Sequence, residues 1–310
     1  MFSNTLTAPT QSTESTLPFL GSEVAVNYDS ASVVILPIPY ELTTTYRKGC
    51  CNGPQAILEA SQHVEYFDEE LNQESCTTGI YTHQPIAICN QDTYLASEEM
   101  LTICQQTIER LNRDNKFVIA LGGEHSITAG LVAGYQSKYG NEAFTVVQID
   151  AHGDLRHEYE DSIHNHACVM RRIIDMGLPT VQLGIRSMCK EEADLIQEKS
   201  LTVFSARQIA KQSDWIDRAI ASIPTRNVFL TIDLDGIDPA LIPGVGTPEP
   251  GGLDWYSLID FIRRLFKTHT VIGCDVMELS PIVDSVVSEF VAAKLVYKLV
   301  GYHTTSLSQQ

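Results

Sequence analysis

The chain has 310 residues, 44% of them hydrophobic and 19% charged, which allows one large α/β domain or two ordinary ones and argues against wholesale disorder. Its 21 Lys and Arg against 39 Asp and Glu give a net charge of −18, so a nucleic-acid protein that tracks the backbone or a polybasic membrane binder is disfavoured, while a cationic small molecule or metal ions would be welcome. No apolar run approaches the roughly 20 residues that a membrane-spanning helix needs.

The N-terminal stretch MFSNTLTAPTQSTESTLPF has neither a basic region nor an apolar core, so it does not read as a secretory signal. It reads as a flexible arm, residues 1–30, able to dock on a neighbour. None of the 8 cysteines forms a C-x-x-C pair, and reduced thiols in a cytoplasmic protein are the simplest reading. From residue 32 onward, short β-rich runs alternate with helical patterns. Residues 32–37 read as a buried strand. A helix opens at Gly53-Pro54, where proline's missing N–H costs nothing, and runs to about residue 64. Residues 97–113 carry Leu101, Cys104, Ile108 and Leu111 at helical spacing. Strands follow at 117–121, 144–150, 181–185, 201–204, 228–233 and 271–276, with helices between most of them. Near-continuous apolar strands separated by helices predict a parallel sheet covered on both faces. The expectation is therefore a single three-layer α/β/α domain over residues 31–302, with a flexible tail at 303–310.

Ligands in such folds gather beyond the carboxyl ends of the strands. The polar clusters lie there: Gly122-Gly123-Glu124-His125-Ser126, Asp150-Ala151-His152-Gly153-Asp154, Asp233-Leu234-Asp235-Gly236-Ile237-Asp238-Pro239, and Met277-Glu278. Asp150, His152 and Asp154 share one face of an extended backbone, and Asp233 and Asp235 repeat the arrangement. With His125 they make two histidines and four aspartates, a set that suits Mn²⁺ or a similar divalent ion better than structural zinc. Six ligands are too many for one catalytic ion with an open position, and suit two ions if two carboxylates bridge. An EF-hand is rejected, because counting from Asp233 its glycine and glutamate positions hold Asp238 and Gly244. The Gly244-x-Gly246 pair does not open a dinucleotide helix, since Pro248 and Pro250 follow.

The set GGEHS, DAHGDLR, DLDGIDP, GTPEPGG and DVMELSP resembles the ureohydrolases, the arginase and agmatinase family, in the family's order from about residue 32 to 300. The resemblance implies an eight-stranded parallel sheet, two Mn²⁺ per subunit (Ni²⁺ being another candidate ion), and hydrolysis of a guanidino group to urea and an amine. It also implies a homo-oligomer, a trimer or hexamer. Carried over by position, one ion is held by His125, Asp150, Asp154 and Asp233, and the other by His152, Asp150, Asp233 and Asp235. Asp154 would also orient the attacking water, and Glu278 would accept N–H bonds from the guanidinium. The agmatinase pattern of a histidine, a short apolar stretch and a basic pair matches His166 before Arg171-Arg172, although Ala167 stands where glycine is usual. His166 is thus the expected proton shuttle and His164 the alternative.

Arginases read a carboxylate with polar side chains after D-A-H-x-D. This chain has Leu155-Arg156-His157-Glu158-Tyr159-Glu160-Asp161 there, an acidic loop better suited to an amine tail. Glu158, Asp161 and His164 are therefore expected at the substrate's tail, and agmatine, giving putrescine and urea, is the first choice in a polyamine-forming reaction. Arg156 keeps guanidinobutyrate, arginine and other guanidino compounds, free guanidine included, in view. A deacetylase-like hydrolase with one zinc would leave His125, Asp154 and Asp235 surplus, and a non-catalytic subunit would leave the whole ligand set without a task. Tyr46 and Arg47 read as structural.

Overall fold

The alternation of the first apolar run already sorts its side chains. Along Val33–Ile38, Val33 and Ile35 enter one buried cluster, and Val34, Leu36 and Ile38 enter another on the opposite face. A strand buried on both faces needs cover on both, and the computed structural model, which describes residues 16–86, 95–140 and 144–307, supplies it.

In chain order the strands are β1 (Val33–Ile38), β2 (Phe67–Asp68), β3 (Gln73–Glu74), β4 (Ile80–Thr82), β5 (Phe117–Gly122), β6 (Phe144–Ile149), β7 (Thr180–Ile185), β8 (Thr202–Ser205), β9 (Asn227–Asp233) and β10 (Thr270–Met277). β2 and β3 form a separate antiparallel pair. The other eight make one parallel sheet in the order β4-β1-β5-β10-β9-β6-β7-β8. All eight carboxyl ends therefore open on one edge. Seven of these strands coincide with the runs expected from sequence. The eighth, β4, is a three-residue edge strand, too short to show a period.

One face is covered by α1 (Gly53–Ser61), α8 (Trp255–Thr268) and α9 (Val287–Leu307), the other by α2 (Ser97–Arg113), α3 (Thr128–Tyr139) and α4 (Val169–Asp175). This is the three-layer architecture expected. Part of each proposed flexible end is packed against the domain. Phe19 and Leu20 are buried, and their N–H groups donate to Thr82 Oγ1 (2.8 Å) and Ser61 Oγ (2.9 Å), so the chain is packed well before residue 30. At the other end α9 runs on to Leu307, with the His303 ring stacked on Phe117 at 3.8 Å between centroids. The expected arm's first fifteen residues and the tail's last three lie outside the described residues. Six of the cysteines are free thiols, whereas Cys51 is disulfide-bonded, against the expectation of reduced thiols throughout; Cys89 lies outside the described residues.

A buried cation fastens α9 to the β2–β3 pair. Lys298, 2% exposed, donates to Asp68 Oδ1 (2.8 Å) and Glu70 Oε2 (3.0 Å). Burial opposes the Asp68 charge, but the Lys298 bond and the Leu71 and Glu70 N–H groups hold its carboxyl below the usual range. Lys298→Met should therefore cost about 3–5 kcal/mol in urea denaturation, because it strands a buried carboxylate. Adding Asp68→Asn, which removes the stranded charge and keeps an acceptor for the Leu71 and Glu70 N–H groups, should recover part of that loss.

Candidate metal centre

The four strands with polar ends are neighbours: β5, β10, β9 and β6 lie side by side in the middle of the sheet. β5 delivers His125 after two loop residues, Gly123 and Glu124. β6 delivers Asp150, His152 and Asp154, β9 delivers Asp233 and Asp235, and β10 delivers Glu278. Two glycines make the convergence sterically feasible. A Cβ on Gly123 would stand 2.0 Å from Tyr40 O, and one on Gly236 would stand 2.6 Å from Asp150 N. Asp154 (φ 52°) and Glu278 (φ 67°) both occupy the left-handed region without being glycine, the kind of local strain that gathers at functional sites.

All six proposed ligands meet. His125 Nδ1 lies 3.1 Å from Asp150 Oδ2, 3.2 Å from Asp154 Oδ2 and 3.3 Å from Asp233 Oδ2. His152 Nδ1 lies 2.9 Å from Asp235 Oδ2 and 3.7 Å from Asp150 Oδ1. Asp150 thus turns one oxygen to each histidine, and two groups with metal-ligand spacing share it: His125, Asp150, Asp154 and Asp150, His152, Asp235.

The donor set fits divalent cations on two counts. His125 Nε2 lies 2.8 Å from Thr231 Oγ1, while the buried Nδ1 has no hydrogen-bond partner among the described residues although three carboxylate oxygens surround it. An imidazole nitrogen ringed by three carboxylate oxygens calls for positive charge there, a proton on the ring or a metal ion between them; against burial, the same aspartates hold His125 well above its usual value. The titration balance agrees. Burial, then the Asp150 charge, pushes Asp154 up to about 7; burial, then Asp235, pushes Asp233 well above its usual value. Burial opposes a charge on His152, yet Asp150 and Asp235 raise it to about 12. Without positive charge, these four carboxylates cannot all ionise at neutral pH.

The centre forms the floor of a cavity of about 250 Å³. Glu278 stands in its wall: Oε1 accepts the His125 N–H at 2.7 Å, and burial pushes the carboxyl up to about 8. His166 is also in the wall. Its N–H donates to Thr43 Oγ1 (2.9 Å), its Nδ1 is 3.3 Å from the same oxygen, and Thr43 Oγ1 donates to Glu124 Oε1 (2.8 Å). Thr43's single proton is committed to Glu124, so His166 Nδ1 carries the hydrogen and Nε2 is the free nitrogen. Burial lowers this imidazole to about 4, which makes it neutral at pH 7.

The residues expected at the substrate's tail are placed elsewhere. Glu158 and Asp161 are exposed and outside the cavity lining. His164 lines a second cavity between α2 and α3, with Nε2 3.8 Å from Glu98. The loop turns its acids outward and only Arg156 and Tyr159 inward, stacked with the guanidinium 4.6 Å from the ring centroid. Tyr46 and Arg47, read from sequence as structural, line the cavity as well. The wall acid that sequence reasoning missed is Glu192, in the first turn of α5 (Lys190–Lys199), whose oxygens accept the N–H groups of Leu155 (2.8 Å) and Cys189 (2.6 Å). Nothing in its spacing marks it apart from Glu191.

A family model described as the arginase family matches residues 31–301. The chain is 56% identical over 296 residues to an N(1)-aminopropylagmatine ureohydrolase of Synechocystis sp., covering 95% of this chain and 96% of the relative. A Thermus thermophilus protein of the same name is 36% identical, covering 88% and 91%. Among solved structures, the agmatine ureohydrolase of Thermoplasma volcanium superposes with a TM-score of 0.85 at 29% identity, covering 96% of this chain and 98% of that one.

Proposed function

The chain belongs to the arginase family, and from that premise we propose that it hydrolyses the guanidino group of N1-aminopropylagmatine, releasing urea and spermidine, with agmatine as the shorter substrate of the same site. It is a hydrolase of guanidino compounds. Agmatine, the choice made from sequence, differs from the proposed substrate only by the aminopropyl tail. The observation that carries the reading is the doubled ligand group sharing Asp150, with Glu278 beside it in one cavity. Two Mn²⁺ as the resident ions and a trimeric or hexameric assembly belong to the same proposal and rest on the resemblance, while a cytoplasmic location is proposed from the six free thiols.

His125, Asp150, Asp154 and Asp233 would hold one ion, and His152, Asp150, Asp233 and Asp235 the other. Such a pair of divalent ions supplies a nucleophile at neutral pH by lowering the pKa of water. Glu278 supplies the charge complement of the guanidinium, which remains protonated near neutrality and is a poor electrophile until it is fixed in place. Its Oε1 is occupied by the His125 N–H, so its remaining acceptor sites are what the guanidinium meets. His166, neutral before the reaction and free at Nε2, takes a proton and returns it to the departing amine nitrogen. Thr43 and Glu124 hold that ring in its tautomer. Asp154 completes the floor.

Glu192 is the wall carboxylate not used by these tasks, and it gives the cationic tail an electrostatic partner. Arg47 and Arg156 in the same wall favour a second reading, a guanidino acid whose carboxylate they would pair. The test is urea release from Mn²⁺-loaded protein offered N1-aminopropylagmatine, agmatine, arginine, guanidinobutyrate and guanidine in parallel. The highest kcat/KM is expected for N1-aminopropylagmatine. A preference for a carboxylate-tailed compound would transfer the tail site to the arginines. His166→Asn should lower kcat by about 10²–10⁴-fold with little change in KM, the range of a lost general acid–base.

A further inference from the structure

We propose that Gln148 and Gln182 form a positioning pair that grips the Asp150–Asp154 loop from within the sheet and sets the affinity of the metal centre. Gln148 on β6 and Gln182 on β7 are register partners, and both are fully buried in strands that are otherwise almost wholly apolar. Gln148 Nε2 donates to Asp150 Oδ2 at 2.6 Å. Gln182 Nε2 donates to Gln148 Oε1 at 2.5 Å and to Gly153 O at 2.8 Å.

The direction of this chain is forced. An ionised carboxylate only accepts, so Gln148 must present its N–H to Asp150 and turn its carbonyl away. Gln182 must then donate to that carbonyl, and its second N–H is left for Gly153 O. Gly153 stands between His152 and Asp154, so the pair holds the loop at both ends: the Asp150 carboxylate and the backbone between the next two ligands. Asp150 Oδ2 is the oxygen facing His125, and anchoring it leaves Oδ1 toward His152.

Packing gives no reason for two glutamines here. Gln182 Oε1 is buried without a hydrogen-bond partner among the described residues, a loss that an apolar pair at these positions would not incur. Buried polar groups kept at a cost in stability, and joined to a ligand carboxylate, are explained by what they do to that ligand. Outer partners of this kind change metal affinity by about 10- to 100-fold when removed.

This inference rests on the metal-centre reading, and the experiment separates the two. The full-length chain, stripped of metal, is titrated with Mn²⁺ alone, free Mn²⁺ is followed by its EPR signal, and melting is recorded with and without the ion. Gln148→Met and Gln182→Met should each lower Mn²⁺ affinity by about 10- to 100-fold, and the double variant should be no worse than the more affected single one. Each metal-free single variant strands a buried partner, so the metal-free double variant should melt closer to the wild type than either single one, while the rise on loading shrinks in all three. Wild-type affinity in both variants would overturn the proposal. So would metal-free melting that falls as far as loaded melting, or failure of both variants to fold, since each indicates a merely structural role. If only one folds, it is judged by the same affinities. A wild-type chain that binds no Mn²⁺ would instead overturn the metal-centre reading, and this one with it.

Discussion

Asp150→Asn is expected to reduce urea release by about 10³-fold or more, the equivalent of roughly 4 kcal/mol of lost transition-state stabilisation. The size follows from position. Asp150 is the residue common to both ligand groups, with Oδ2 toward His125 and Oδ1 toward His152. An amide removes the charge that both centres share and places an N–H where one of them needs an acceptor. Its nitrogen would also confront either the Gln148 donor or the His152 N–H, which donates to Oδ1 at 2.6 Å. After loading with Mn²⁺, the metal bound per chain should fall below the wild-type value, and that measurement assigns the loss to the centre. The exposed acids of the following loop give the contrast. Glu158→Gln and Asp161→Asn should each leave kcat/KM within about twofold of the wild type, as for surface changes away from a site. A tenfold rise in KM from either would return the tail site to that loop.

The same contrast shows where sequence is informative. A ligand at the end of an apolar strand is legible because two independent patterns coincide: a strand long enough to show itself, and a charged cluster that a buried strand end would otherwise avoid. His125, Asp150, Asp233 and Glu278 all have that signature. Side-chain direction in an irregular loop has no period, so the sequence reading puts Glu158 at the tail with Arg156 as the alternative, and of the two the structure turns only Arg156 inward. Glu192 belongs to another part of the chain and enters the wall through a helix's first turn. Gln148 and Gln182 stand 34 residues apart, and their relation exists only once β6 and β7 are in register. Thr43 is 123 residues from His166, which it holds. What remains hidden in sequence is thus the set of partners that orient the chemically obvious groups, because their meaning is a contact and not a motif.

Glu278→Gln is the substitution that separates substrate binding from metal binding. Glutamine keeps an acceptor for the His125 N–H, so the turn after β10 and the histidine beside it should persist, and the variant should bind added Mn²⁺ and melt as the wild type does. What disappears is the negative charge facing the guanidinium. Losing one partner of a desolvated, hydrogen-bonded charge pair costs about 2–4 kcal/mol, or roughly 30- to 900-fold in kcat/KM. The pH dependence carries the sign. Burial raises the Glu278 carboxyl to about 8 in the free protein, and a cation brought beside it, ion or substrate, draws it back down. Only the ionised form pairs with a guanidinium, so kcat/KM should fall as pH drops through the carboxyl's value in the loaded enzyme. That acid limb should be missing in Glu278→Gln, whose side chain does not titrate. An unchanged kcat/KM with both ions bound would remove Glu278 from the substrate site and leave the His125 backbone as its only task.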